Sequence, residues 1–292
     1  MTMWKNRRGR FGTSFPRGSF TINRNSPQSL GLRAWWPFNA SQSARSSVID
    51  LGEEGRHGVL GSGAAWIVDS EFGKVVEGEA SANTYISVGD FYNIGTEDFT
   101  FTAWVRMDDF EETGSILQKH QGVDNGYSFF IYTSGRPGLY LDAGSSKLTT
   151  DDGNAMSANT WHHLAVVADR SANATRYLDG IASGTEDTLA AVTGSLSHTT
   201  PLYLMAKHNA GTPSDNIDGA VADIRIYRRK LSAAEVHHQY APATRFDLYL
   251  PVQRVWNVKA PAVAASVVKP PFRVQIPRTA PAIPGRDYIV RL

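Results

Sequence analysis

Two adjacent histidines stand in the stretch TWHHLAVVADRSANATRYLDG (160–180), with carboxylates at Asp169 and Asp179. Imidazoles and carboxylates exchange protons and hold metals near neutral pH, so this is the first place to look for chemistry. The residues around them read as a strand. Neighbours in a strand point to opposite faces, so His162 and His163 do not share one metal ion. One is expected inside, satisfied by a hydrogen bond, and the other on the outer face; register decides which. Asp179-Gly180 reads as a hairpin turn. His237 and His238 fall in LSAAEVHHQY (231–240), where Ser232 and Glu235 are spaced as a capping box. A short helix is predicted there, its histidines serving packing and surface.

The remaining acids offer little catalysis. Asp108-Asp109, Glu111-Glu112 and Asp151-Asp152 sit in turn-like surroundings and read as solvated loop charge. The chain has no Gly-x-Ser-x-Gly elbow, phosphate loop or His-Glu-x-x-His motif. It has no cysteine, which excludes disulfides and thiolate metal sites. No enzymatic activity is expected.

The elements that would position any site are short strands. FTFTAWVRM (99–107) alternates, with Phe99, Phe101, Ala103 and Val105 on one face. LRAWWPF, HGVLG, KVVEG and TYISVG precede it. GYSFFIYT, PGLYLDA, TWHHLAVVAD, ATRYLDG, PLYLMAK and GAVADIRIY come after it, separated by turn-forming DNG, SGRPG, DDGN and DRSANA. The fold predicted is all-β, an antiparallel two-sheet jelly-roll sandwich with one short C-terminal helix.

Charge divides the chain into three. Residues 1–33 carry seven basic residues and no acid, and residues 241–292 carry eight basic residues and two acids. The chain as a whole is +1, so the middle, 34–240, is −12. Residues 1–33 are read as a basic extended arm, 34–240 as the jelly-roll body, and 241–292 as a second extended arm holding eight of the fourteen prolines. The body is expected to contain every strand that closes the sandwich, with the arms adding little to its stability. Basic residues near the start have no apolar run behind them, so no secretory signal is expected, and no stretch has the length of a membrane span.

Four stretches of the body resemble the LamG-like jelly-roll domain of the concanavalin A-like lectin/glucanase superfamily. They are LRAWWPFNAS with VIDLGEEGRHGVL, FTFTAWVR, TWHHLAVVADRSANATRYLDG, and IDGAVADIRIYRRKLSAAEV. The resemblance implies a concanavalin A-like sandwich and leaves the activity open, because the fold hosts lectins, hydrolases and structural modules. Glucanases of the fold use an E-x-D-x-E strand, which is absent here. Calcium-binding members hold a structural ion through acids that match Asp50 and Asp223. The loop here, Gly52-Glu53-Glu54-Gly55-Arg56, departs from the usual one. Calcium, Arg56 in its place, and a plain solvated loop are all compatible with it. Lectin members suggest sugar stacking on Trp66, Tyr92, Tyr127 or Tyr132, against the alternative that these rings are core.

The segment HHQYAPATRFDLYLPVQRVWNV (237–258) resembles the tails that extend from such domains in tailed-phage genomes. This implies a virion structural protein assembled in the host cytoplasm. Its jelly roll would be displayed on the particle, as in capsid decoration, and anchored to neighbouring virion subunits by the arms. Trp4, Arg7, Arg8, Arg10, Phe11 and Phe15 at the front would make those contacts, with Arg245, Phe246, Tyr249, Arg254, Trp256 and Phe272 at the back. A lectin-like module that adheres to host glycans is the alternative. The −12 body would repel nucleic acid.

Overall fold

Runs of β-branched and aromatic residues, cut by Gly, Asn and Asp, fold here as antiparallel strands. The computed structural model describes residues 19–39, 46–82, 84–120, 125–144, 146–148, 151–209 and 212–252. In chain order the strands are β1 (Phe20–Ile22), β2 (Leu32–Trp36), β3 (Ser47–Val48), β4 (Gly58–Leu60), β5 (Ala65–Asp69), β6 (Gly73–Gly78) and β7 (Ile86–Gly89). Next come β8 (Phe99–Met107), β9 (Gly114–Lys119), β10 (Gly126–Ile131), β11 (Pro137–Asp142), β12 (Ser146–Leu148), β13 (His162–Ala168) and β14 (Asn173–Leu178). The last are β15 (Ile181–Ala182), β16 (Asp187–Thr188), β17 (Leu202–Leu204), β18 (Lys207–Asn209), β19 (Thr212–Ser214), β20 (Gly219–Tyr227) and β21 (Tyr249–Pro251). One 3-10 turn, Pro27–Ser29, and one helix, α1 (Ala233–Tyr240), complete the described elements.

Among the described residues an eight-stranded sheet runs β12-β11-β10-β9-β17-β7-β4-β3. A nine-stranded sheet runs β15-β14-β13-β8-β20-β6-β5, with β16 on β14 and β2 on β20. The expected sandwich is therefore present, with its core between the sheets. Phe99, Phe101, Ala103 and Val105 all point into that core, as their alternation predicts. Helix α1 starts at Ser232 with the predicted capping box. At the β14–β15 hairpin, Asp179 and Gly180 both take positive φ (52° and 75°), the backbone a tight two-residue turn requires. No helix among the described residues is long and apolar enough to cross a membrane.

A second core corrects the reading of the arms. It lies on the outer face of the nine-stranded sheet, where Leu32, Trp35, Phe72, Trp104, Ala165, Ala222 and Tyr227 point away from the first core. Phe20, Phe246, Leu248 and Tyr249 cover that face with Val236 of α1. β1 pairs β21 antiparallel, joining residues more than 200 positions apart. The Tyr249 ring meets Trp35 edge-on at 4.8 Å and Phe20 at 4.7 Å.

The boundaries at 33/34 and 240/241 thus fall inside one compact unit, which ends at Gln253. Phe246 and Tyr249, expected to meet a partner, are buried, and Arg245 pairs with Glu71 at 2.7 Å. The reason is the outer sheet face: it is apolar and cannot stay in water, and these flanking segments cover it together with α1. Trp4, Arg7, Arg8, Arg10, Phe11, Phe15, Arg254, Trp256 and Phe272 lie outside the described residues.

Candidate functional site

The histidine strand has both faces buried. β13 pairs β8 and β14, so Leu164 and Val166 enter the first core while His163, Ala165 and Val167 face the second. His163 packs on Trp104 with ring centroids 5.4 Å apart, and its Nδ1 has no hydrogen-bond partner. The expectation that the inner histidine is satisfied by a hydrogen bond is corrected at this atom: packing, not pairing, holds the ring. Burial first, and then the positive Arg225, push His163 down to about 3, against a smaller opposing pull from Asp179.

A pH dependence results from that shift. The unfolded chain takes a proton on this histidine below its ordinary 6.5, and the folded chain only near 3. Stability is therefore full above the ordinary value and falls as pH drops through the interval, by up to about 4–5 kcal/mol in all. Urea melts at pH 7 and pH 4.5 should show a smaller loss in His163→Gln than in the parent. Equal losses would remove His163 as the cause.

His162 has the outline of a catalytic triad. Its Nδ1 is 2.8 Å from Asp179 Oδ2, and its Nε2 is 3.0 Å from the hydroxyl of exposed Ser157. The same Nε2 also accepts the backbone N–H of Ser157 at 3.1 Å. That bond occupies the lone pair a general base would use, so the arrangement ties the 157–162 turn to the β14–β15 hairpin. Asp179 Oδ1 adds a bond from the His163 N–H at 2.9 Å. Asp152, read as solvated loop charge, instead grips buried Arg176 at 2.6 Å and the Thr185 hydroxyl at 2.7 Å. Those partners draw its carboxyl down to about 2.

Asp50 and Asp223 both bond Trp35. Asp50 Oδ1 accepts the N–H of Trp35 (2.8 Å) and of Gly52 (2.7 Å). Its Oδ2 accepts the N–H of Arg56 (2.9 Å) and the Tyr92 hydroxyl (2.5 Å). All four acceptor positions of this buried carboxylate are filled by donors, which is the wrong polarity for a cation ligand. Burial nevertheless raises its pKa against those bonds. Asp223 sits at a β-bulge of β20 with φ of 52°, which turns it beside Arg225 on the outer face. It takes the Trp35 indole N–H at 2.6 Å and a two-pronged grip from Arg225 at 2.8 and 2.6 Å.

No group of three or more His, Asp or Glu able to hold a metal occurs among the described residues. The residues present do not fit calcium, because donors and a guanidinium already stand where a cation would. The replacing cation is Arg225, not Arg56, whose guanidinium lies 4.0 Å over the Phe91 ring. The melting temperature is expected to be the same in calcium and in chelator; a shift lost in Asp50→Ala would restore the ion.

Arg225 is the centre of a wider buried network. It donates to Gln28 Oε1 at 2.7 Å, and Gln28 Nε2 donates to His238 Nδ1 and the Thr244 carbonyl, both at 2.9 Å. Tyr227 donates to the Gln28 carbonyl at 3.0 Å. Burial opposes the Arg225 charge, but Asp223, Tyr227 and Tyr249 together more than offset this and keep the guanidinium protonated. Gln28 and Arg225 carry no sequence signal; only their meeting across the fold reveals them.

The eight-stranded sheet has a different outer face. Register aligns Tyr140, Ser128, Gln118, Tyr203, Ser87, Val59 and Ser47 in one lateral row across seven strands. Their strand neighbours Leu139, Leu141, Phe129, Leu117, Leu202, Leu204 and Ile86 point into the first core, so the row points away from it. Tyr85 meets Tyr203 at 5.9 Å and His120 meets Tyr140 at 4.9 Å, widening the aromatic surface. Burial, then neighbouring Tyr85, raise the Tyr203 phenol. Beside the row is a carboxylate, Asp142, which accepts from Tyr140 (3.2 Å) and the Gly144 N–H (2.9 Å). Ser128, Gln118 and Tyr203 in the middle of the row are buried and Tyr140, Ser87 and Ser47 are half-buried, so it is the ring and hydroxyls at these half-buried positions that can stack on and hydrogen-bond a polyhydroxylated ring. Sequence reasoning missed this row and pointed to other rings. Tyr92 and Tyr127 are core, Trp66 packs against the core under Lys74, and Tyr132 packs on Phe130.

Residues 80–237, more than half of the chain, match the Laminin_G_3 family, described as concanavalin A-like lectin/glucanases superfamily. No curated protein sequence matches the chain. Among solved structures it is similar to the binding domain of Paraclostridial Mosquitocidal Protein 1. That match has 16% identity and a TM-score of 0.56, and covers 73% of this chain and 52% of the other. It is also similar to the botulinum neurotoxin serotype G binding domain (16% identity, TM-score 0.52, 71% and 50% covered). A third is the botulinum neurotoxin serotype D ligand binding domain in complex with N-acetylneuraminic acid (13%, TM-score 0.54, 73% and 51%). The chain thus spans about half the length of these structures, and at such identities the likeness is one of fold.

Proposed function

The chain belongs to the concanavalin A-like lectin/glucanases superfamily, and on that footing we propose that it is a non-enzymatic binding protein whose eight-stranded sheet takes a carbohydrate along its outer row. The observation that carries this reading is the row itself, with Tyr140, Ser128, Gln118, Tyr203 and Ser87 in register across five strands. The row has hydroxyls, an amide and two aromatic rings but no cation, so its chemistry suits a neutral saccharide better than an acidic one. Glycoside hydrolysis uses two carboxylates, and among the described residues Asp142 is the one beside the row. The toxin binding domains of similar fold support the sandwich as a ligand-binding scaffold.

The full chain should bind neutral oligosaccharides on an array of neutral and acidic glycans. Tyr140→Ala and Ser87→Val, both at half-buried positions, should each weaken binding about tenfold or more, with thermal melts confirming that each variant is folded. Binding to no glycan, or binding untouched by both substitutions, would reject the sugar face.

A second reading concerns where this module works. The separation of an acidic body from basic segments, and the resemblance of residues 237–258 to phage sequences, favour a virion structural protein assembled in a host cytoplasm, with other virion subunits as partners. After the correction to the arms, the anchoring contacts fall to residues 1–18 and 253–292. Mass spectrometry of purified particles, with immuno-gold labelling, tests this independently of any glycan.

A further inference from the structure

Helix α1 and the 3-10 turn Pro27–Ser29 leave a half-enclosed cavity of about 230 Å³ between them. Pro27 and Gln28 form one wall. Leu231 and, from one face of α1, Ala234, Glu235, His238 and Gln239 form the other, with Arg229 beside them. The lining is almost wholly carbon, because most polar ends of these side chains are engaged elsewhere. Arg229 grips both oxygens of Glu235 at 2.7 and 3.0 Å and donates to the Leu30 carbonyl at 2.8 Å. The Gln28 amide is bonded to Arg225, His238 and Thr244. Gln239 differs. It is 2% exposed, and its carboxamide oxygen accepts the Thr102 hydroxyl at 2.9 Å. Its amide nitrogen has no hydrogen-bond partner among the described residues and is not sealed in protein, so it opens where the residue lines the cavity.

We propose that this cavity binds a small uncharged molecule with a ring-sized apolar body and one acceptor oxygen, a carbonyl or hydroxyl, that takes the Gln239 amide N–H. The size suits such a ligand. A cavity of about 150 Å³ is enough for benzene, so this one holds a ring with a short substituent. Carbon walls give water few partners, and an apolar body gains by leaving water for them. One donor among those walls fixes the ligand's orientation, as a few placed polar groups do in small-molecule sites generally. A charged ligand does not suit the cavity. Arg229 is already paired with Glu235, so a bare charge would lose its water and find no counter-ion in exchange. The site lies with α1 on the nine-stranded sheet, whereas the Tyr140–Tyr203 row belongs to the eight-stranded one. It is therefore independent of what the row binds.

Fluorine NMR of the full chain with three aromatic probes tests the site. para-Fluoroacetophenone has the ring and the acceptor oxygen, para-fluorotoluene has the ring alone, and para-fluorobenzoate carries a charge. para-Fluoroacetophenone should bind saturably with Kd of about 0.1–1 mM, and para-fluorobenzoate at least about tenfold more weakly. Gln239→Leu keeps the volume and removes the donor. It should weaken para-fluoroacetophenone about tenfold relative to para-fluorotoluene. Ala234→Phe, at an exposed helix position on the cavity wall, should block both neutral probes and leave the fold intact. Thermal melts confirm that each variant is folded; if Gln239→Leu is not, Ala234→Phe and the order of the three probes decide. The proposal is overturned by absence of saturable binding, which is also how occupation of the cavity by another part of the chain would appear. It is equally overturned by preference for para-fluorobenzoate, by equal loss of both neutral probes in a folded Gln239→Leu, or by binding indifferent to Ala234→Phe.

Discussion

Cut down to residues 34–240, the chain should fail to fold. That fragment keeps both sheets and α1 but loses Phe20, Leu32, Phe246, Leu248 and Tyr249, all of them buried in the second core. Trp35, Trp104 and Tyr227 would then face water across the outer side of the nine-stranded sheet. Removing one large buried aromatic side chain typically costs about 3–5 kcal/mol, and whole domains hold only about 5–15. The loss of several together exceeds that margin. Gln28 goes too, leaving Arg225 without one of its acceptors. The fragment 19–252 keeps all of these and should melt cooperatively near the temperature of the full chain. Circular dichroism and limited proteolysis of the two fragments decide the matter. A folded, protease-resistant 34–240 would show that the second core is decoration on an independently stable sandwich.

Arg225→Met should be the most damaging single substitution in the outer face. It removes one partner of a buried ion pair and takes both guanidinium bonds from Asp223, which keeps the Trp35 indole N–H. Breaking a buried pair from one side costs about 3–5 kcal/mol. Removing both charges is far milder, because no uncompensated carboxylate is left behind. Urea denaturation of Arg225→Met, Asp223→Leu and the double variant forms a cycle in which the double variant should be more stable than Arg225→Met alone. Simple additivity of the two losses would mean that the pair does not act as a unit. The cycle also separates this role from calcium binding, since an ion site at Asp223 would gain, not lose, from removal of the neighbouring guanidinium.

What the sequence determined by itself was local. Alternation placed Phe99, Phe101, Ala103 and Val105 on one face. Turn chemistry placed Asp179-Gly180, and the spacing of Ser232 and Glu235 placed the start of α1. Each depends on residues within one strand or one turn, so backbone geometry suffices to read it. The tertiary structure alone decided the rest. Phe20, Phe246 and Tyr249 looked like arm residues seeking a partner because the sheet face they cover is assembled from strands far away in the chain. Asp50 and Asp223 resembled ion ligands by type and position. Whether donors or a cation fill their lone pairs depends on Trp35, Tyr92 and Arg225, which only folding brings to them. The Tyr140–Tyr203 row has no sequence spacing at all. It exists because long-range register aligns single residues from separate strands, and register is fixed by burying one face of every strand at once.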